Sequence, residues 1–208
     1  MIMNRERAAG TSEYSWTCIT EDADFAPRDG AGALVFRDKM WLLGGWNPQD
    51  PKSFPDVCNS EVWSSADGQS WNLELAEAPW EGRHTAGYAV HRGRMWVIGG
   101  DANQGHYQND VWSSEDGVNW QKISDSVPWG PRVLHYSLSF EDKLWVMGGQ
   151  TVPQFASARQ VFYNDVWTSA DGVNWTQVTE SAPWAPRGMI GGSVVMDGRM
   201  WLLGGGTY

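Results

Sequence analysis

One stretch of twelve residues constrains this chain more than any other, because it is written three times. "NDVWSSEDGVNW" ends at Trp120 and "NDVWTSADGVNW" at Trp175, while a diverged copy, "SEVWSSADGQSW", ends at Trp71. Two more markers recur with it in fixed order. A Pro-rich lead-in closes on an arginine: "APWEGR" at Arg83, "VPWGPR" at Arg132, "APWAPR" at Arg187, and a diverged "DFAPR" at Arg28. An apolar run then closes on two glycines, ending at Gly45, Gly100, Gly149 and Gly205. The period is 49 to 56 residues. A chain that repeats at this length builds one supersecondary unit several times and stacks the copies.

Each unit reads as four strands, a to d. Strand a follows the arginine. A two-residue link joins it to strand b: "RD" at 37–38, "RG" at 92–93, "ED" at 141–142, "DG" at 197–198. Links this short between apolar runs predict hairpins. Strand b is apolar at consecutive positions, which predicts burial on both faces. Strand c is "VWSS" or "VWTS". An Asp-Gly hairpin turn then leads to strand d at Asp67-Gly68, Asp116-Gly117 and Asp171-Gly172. The 24 glycines and this turn chemistry exclude a helical reading. Length varies mainly between the double glycine and the "VW", so the b–c connections form the variable loop face.

Four antiparallel strands repeated at about 50 residues make a propeller blade. The double glycine closing strand b, the aromatic after "DV" and the later Trp resemble the kelch repeat over about residues 14 to 206. That broad class includes the galactose oxidase central domain and bacterial sialic acid epimerases. The rival signature is the Asp-box of sialidase propellers, from which every copy here differs because Asp and Gly are adjacent. The expected architecture is all-β: a 13-residue N-terminal extension, then a partial kelch-type propeller over 14–208. Its blades fall at about 28–77, 83–126 and 132–181, with a half blade at 187–208.

Trp16 lies nine residues before Phe25, as Trp71 lies nine before Trp80, so "YSWTCIT" reads as a strand d with nothing before it. The predicted order is d, three complete blades, then a and b. Kelch-like propellers usually have six or seven blades and are often sealed by strands from both termini. Three arrangements stay open: a piece of a longer propeller without independent function, two chains joined head to tail in one ring, or a four-bladed monomer. An open arc exposes the flat apolar faces of its end blades.

The d–a and b–c loops of a blade emerge on one face. The expected ligand-binding residues there are Arg28, Asp29, Arg83, His84, Asp101, His106, Arg132, His135 and Arg187, with Trp46, Asn47, Asn103, Gln104, Tyr107 and Gln150 on the b–c loops. Arginine forks suit an anionic ligand, and aromatic faces with amides suit a glycan. An arginine that recurs in every blade also has a purely structural reading, as a bridge between parts of the fold. His84, Asp101 and His135 are weak candidates for acid–base chemistry, since the repeat does not require them. The functional expectation is a scaffold for a small anionic or glycan-like ligand or a protein partner. The alternative is a sugar epimerase or mutarotase, which the resemblance to sialic acid epimerases implies.

A net charge of −10 argues against a nucleic-acid partner. No metal-ligand cluster or cofactor motif occurs, and no copper ligands carry over from galactose oxidase. "MIMNRERAAG" has no apolar core of a secretory signal, and no run of eighteen apolar residues occurs, so a cytoplasmic chain off the membrane is the expectation. Cys18 and Cys58 are expected as thiols, with a single bridge between them left open.

Overall fold

The computed structural model describes residues 2–8, 11–50, 57–102, 106–152, 160–188 and 191–207. No helix occurs among them, and therefore none long and apolar enough to cross a membrane. The first complete blade is β3 (Gly32–Phe36), β4 (Lys39–Trp46), β5 (Cys58–Ser65) and β6 (Asn72–Leu75), paired in that order. The second is β7 (Gly87–His91), β8 (Arg94–Asp101), β9 (Tyr107–Ser114) and β10 (Trp120–Ser124). The third is β11 (Tyr136–Phe140), β12 (Lys143–Met147), β15 (Val166–Ser169) and β16 (Trp175–Thr179). A short pair, β13 (Gln150–Thr151) with β14 (Val161–Phe162), extends its b–c connection. Every pairing is antiparallel, so the chain forms the four-stranded blades of a propeller.

The a–b links behave as the sequence predicts. Both central residues of each have positive φ: Arg37 and Asp38 (49° and 58°), Arg92 and Gly93 (47° and 69°), Glu141 and Asp142 (48° and 56°). That is the type I′ geometry whose twist matches the flanking strands. The c–d links differ from the expected two-residue turn. β5 ends at Ser65 and β6 begins at Asn72. The longer loop is closed by side chains: Ser65 Oγ accepts from Gly68 N (2.8 Å), and Asp67 Oδ1 accepts from Gln69 N (2.8 Å) and Ser70 N (2.9 Å). Trp71 Nε1 then donates to Gly68 O (3.2 Å). The glycine has a second duty in the later copies. A Cβ on Gly117 would run into the Trp41 ring, and one on Gly172 into Trp96, so each c–d loop lies flat on the strand-b tryptophan of the preceding blade.

Strand β8 shows why its apolar residues are consecutive. Met95 and Val97 enter a core shared with Phe36, Trp41 and Leu43 of the first blade. Trp96 and Ile98 enter one shared with Leu144 and Val146 of the third. Each fully buried side chain of this size contributes about 1.5–3 kcal/mol over its exposed state. Backbone bonds tie the blades as well: Thr85 N donates to Gly30 O (2.8 Å) and Leu134 N to Thr85 O (3.0 Å). Thr85 and Leu134 take left-handed φ (52° and 55°) to make them, a conformation that is costly for such side chains.

The two ends hold hairpins. β17 (Gly191–Met196) pairs with β18 (Arg199–Gly204), as the a–b reading predicts. At the other end, β1 (Ile2–Ala8) pairs with β2 (Thr11–Thr17). The segment read as a lone strand d therefore has a partner strand before it, and residues 2–8 of the presumed extension are part of a hairpin.

Candidate functional site

The lead-in arginines settle first, because burial dictates what they can do. Arg83 is fully buried. Its Nη1 donates to Gly99 O (2.8 Å) and to Asp110 Oδ1 (2.6 Å), and its Nη2 donates to Asp110 Oδ2 (3.2 Å). Asp110 in turn accepts from Trp112 Nε1 (2.7 Å). Burial alone would raise the Asp110 carboxyl; the hydrogen bonds and charge of Arg83 outweigh it and hold the carboxyl below its usual range. Arg132 repeats the arrangement with Gly148 O, Asp165 and Trp167, and Arg28 repeats it with Gly44 O, Glu61 and Trp63. Three of the four expected anion-binding arginines thus lie inside the blades with their forks filled. They link the double glycine, strand c and its tryptophan. Arg187 reaches Gly204 O (3.0 Å) and has no carboxylate partner among the described residues.

The residues after each arginine and after each double glycine stay on the loop face. They meet as backbone bridges: Asp29 with Trp46, His84 with Asp101, and Val133 with Gln150. The middle bridge is the richest. His84 Nδ1 lies 3.0 Å from Asp101 O and 3.3 Å from Cys58 Sγ. A proton on Nδ1 donated to that carbonyl leaves Nε2 as the acceptor, an assignment made from the hydrogen bonds. The Trp46 ring lies beside the imidazole, with centroids 6.2 Å apart. Asp101 Oδ1 accepts from His106 N (3.1 Å), and His106 Nε2 lies 3.5 Å from Glu81 Oε2. Gln108 Nε2 donates to the same Glu81 oxygen (3.1 Å).

Three residues singled out from sequence, His84, Asp101 and His106, therefore come together at the junction of the first two complete blades, with Trp46 beside them. His84 is half-buried, His106 and Glu81 are exposed, and Asp101 is buried. Cys58 and Glu81 join them and were missed: a lone cysteine and a lone glutamate carry no motif. Burial first, then the Asp101 and Glu81 charges, push the Cys58 thiol up to about 12, so it stays protonated at neutral pH. Both cysteines are free, which closes the question of a bridge between them. Among the described residues no group of three or more His, Cys, Asp and Glu could hold a metal ion.

His135 lies elsewhere, and this corrects its expected place on the ligand face. It is buried against Trp129, ring centroids 5.6 Å apart, with its ring against Gly87. Burial, then the Arg132 charge, lower it to about 3, so it is neutral and sealed. His91 is buried on the opposite side of the blades, with Nδ1 2.9 Å from Ser139 Oγ. Asn47 donates to Pro27 O (2.7 Å) and shapes its own loop. Tyr107 and Gln150 are buried, and Asp29 is exposed. Asn103 and Gln104 lie outside the described residues.

The fold and the loop-face site define an all-β propeller with four-stranded blades. The chain is similar to the solved structure of YjhT, with a TM-score of 0.69 and 18% identity over 88% of this chain and 63% of that one. It therefore spans under two thirds of that protein's length. No family model and no curated protein matches the chain.

Proposed function

We propose that this is a kelch-type binding propeller that takes a glycan-like ligand on its loop face, at the junction of the first two complete blades. One observation carries the reading: the half-buried imidazole of His84, fixed through Nδ1, beside the Trp46 ring and bordered by the exposed Glu81 and His106. An aromatic ring stacks on sugar C–H groups, while imidazole and carboxylate groups bind hydroxyls. The filled forks of Arg28, Arg83 and Arg132 take away the basis for an anion-selective funnel, so the favoured ligand is a neutral sugar. Titration calorimetry against a panel of neutral and anionic mono- and oligosaccharides tests this. The expected result is saturable binding of a neutral member, weakened about tenfold by His84→Ala or Trp46→Ala. Binding indifferent to both changes, or restricted to the anionic sugars, would overturn it.

The free Nε2 of His84 supports a second reading, sugar epimerisation or mutarotation, in which the imidazole moves a proton. His135 cannot be its partner, because it is sealed in the interior. Faster anomer exchange with purified protein, lost in His84→Gln while sugar binding is kept, would favour the enzyme.

A further inference from the structure

Glu81 and Gln108 make a contact that the repeat does not require. Arg83 Nε donates to the Glu81 backbone carbonyl (3.0 Å), as Arg28 Nε does to Ala26 O (3.0 Å) and Arg187 Nε to Ala185 O (3.0 Å). That bond uses no side chain, and alanine makes it in the other two lead-ins, so the Glu81 carboxylate is not needed for it. Gln108 departs from its counterparts in the same way. Asn59, which faces Gly45 as Gln108 faces Gly100, accepts from Arg28 Nη1 (3.0 Å). Tyr163, at the matching place in the third blade, lays its ring 4.0 Å from the Arg132 guanidinium. Gln108 instead leaves Arg83 to Asp110 and donates Nε2 to Glu81 Oε2 (3.1 Å). It does so from the interior: Gln108 is 7% exposed, and its Oε1 is buried without a hydrogen-bond partner. A buried acceptor left unpaired is costly. The amide is therefore held, at that cost, in the orientation that fixes a carboxylate whose side chain is 58% exposed.

We propose that Glu81 sets the specificity of the loop-face site for two adjacent sugar hydroxyls, with Gln108 as the residue that positions it; this rests on the binding reading above. The Gln108 bond fixes Oε2, and Oε1 makes no hydrogen bond among the described residues. A carboxylate accepts at about four lone-pair positions. The fixed group therefore still offers Oε1 and one side of Oε2 to two neighbouring hydroxyls, each of them donating. His106 Nε2, 3.5 Å from Oε2, borders the same carboxylate. The His84 imidazole, tied through Nδ1 with Nε2 as acceptor, and the Trp46 ring receive the rest of the sugar. Glu81 and His84 Nε2 both accept, so the site reads hydroxyl donors and disfavours a carboxylate or an ether oxygen in the same place.

The probes are the methyl glycosides of glucose, mannose and galactose and their monodeoxy forms, titrated by calorimetry into the intact chain. For a parent sugar that binds, loss of either of two adjacent hydroxyls is expected to weaken binding about tenfold, and loss of the others much less. In Glu81→Gln the Gln108 donor holds the amide carbonyl, so an N–H group faces the ligand; both penalties should shrink to about twofold or less. Gln108→Met keeps the shape and removes the donor. It should shrink the same two penalties while stability in urea holds or rises, because a buried unpaired acceptor is removed with the amide. Lost stability with sugar selectivity kept would make Gln108 a structural residue and overturn its positioning role. Penalties that survive Glu81→Gln, or that fall on hydroxyls not adjacent to each other, overturn the assignment of Glu81 and leave the binding site itself standing. If no parent sugar binds, the binding reading falls and this assignment falls with it.

Discussion

Replacing Asp165 by Asn removes one charge and almost no volume, which makes it a clean probe of the arginine module. The Arg132 side chain is 2% exposed and that of Asp165 is 11% exposed, with Nη1 2.7 Å from Oδ1 and Nη2 3.1 Å from Oδ2. The guanidinium also donates to Gly148 O and Trp129 O and lies 4.0 Å from the centre of the Tyr163 ring. Nothing in that setting can hydrate the charge once its partner is neutral. Breaking a buried pair from one side costs about 3–5 kcal/mol, a large share of the ~5–15 kcal/mol that holds a domain folded. The control is Asp142→Asn. It cuts an ion pair of similar geometry to Arg92, but the two side chains are 68% and 49% exposed, where a pair contributes about 0–1 kcal/mol. Urea unfolding followed by tryptophan fluorescence measures both. A cost for Asp165→Asn no larger than that for Asp142→Asn would refute the structural role of the lead-in arginines and return them to the list of ligand groups.

Three further outcomes follow from the same geometry. His135 takes up its proton in the unfolded chain near its ordinary value of 6.5 but in the folded one only near 3; the unfolded state binds more protons between those values, so stability falls as pH drops through that window. His135→Ala, which installs the residue that Ala31 and Ala86 supply at this repeat position, should flatten the slope in pH-dependent melting. Asp116 is held to about 2 by the Asn119 backbone N–H first and its side-chain amide next; it stabilises the fold above its ordinary value of 3.8 and loses that effect as pH falls to about 2, so Asp116→Asn should remove an acid-range component of unfolding. Gly117→Ala should cost about 2 kcal/mol or more in denaturant unfolding, since it adds a clash with Trp41 to a φ of 83°. Gly93→Ala, with φ 69° and open space around it, should cost only about 1 kcal/mol.

Turn chemistry and the double glycine made the blades legible, because both are local demands of the backbone. Arg37-Asp38 and Glu141-Asp142 form type I′ turns without glycine, yet their two-residue length between apolar runs was signal enough. The arginines were legible as a repeat but not in direction. What settles them is the acidic residue before each "VW", Glu61, Asp110 and Asp165, whose recurrence in step with the arginines was the available sign of pairing. The histidines divide on position within the repeat. His84 follows its arginine by one residue and joins a loop-face bridge, whereas His135 follows by three and turns inward, where other blades place alanine. Cys58 and Glu81 reach the site only through tertiary folding, and no local pattern announces them.

The four histidines give the most direct test, since each reports a different place. Their ring signals can be followed by NMR while the bound neutral sugar is titrated. The account predicts that His84 and His106 move together and saturably, while His91 and His135 stay fixed. Movement of His135 without His84, or a bound sugar that leaves all four unmoved, would place the ligand elsewhere and contradict it.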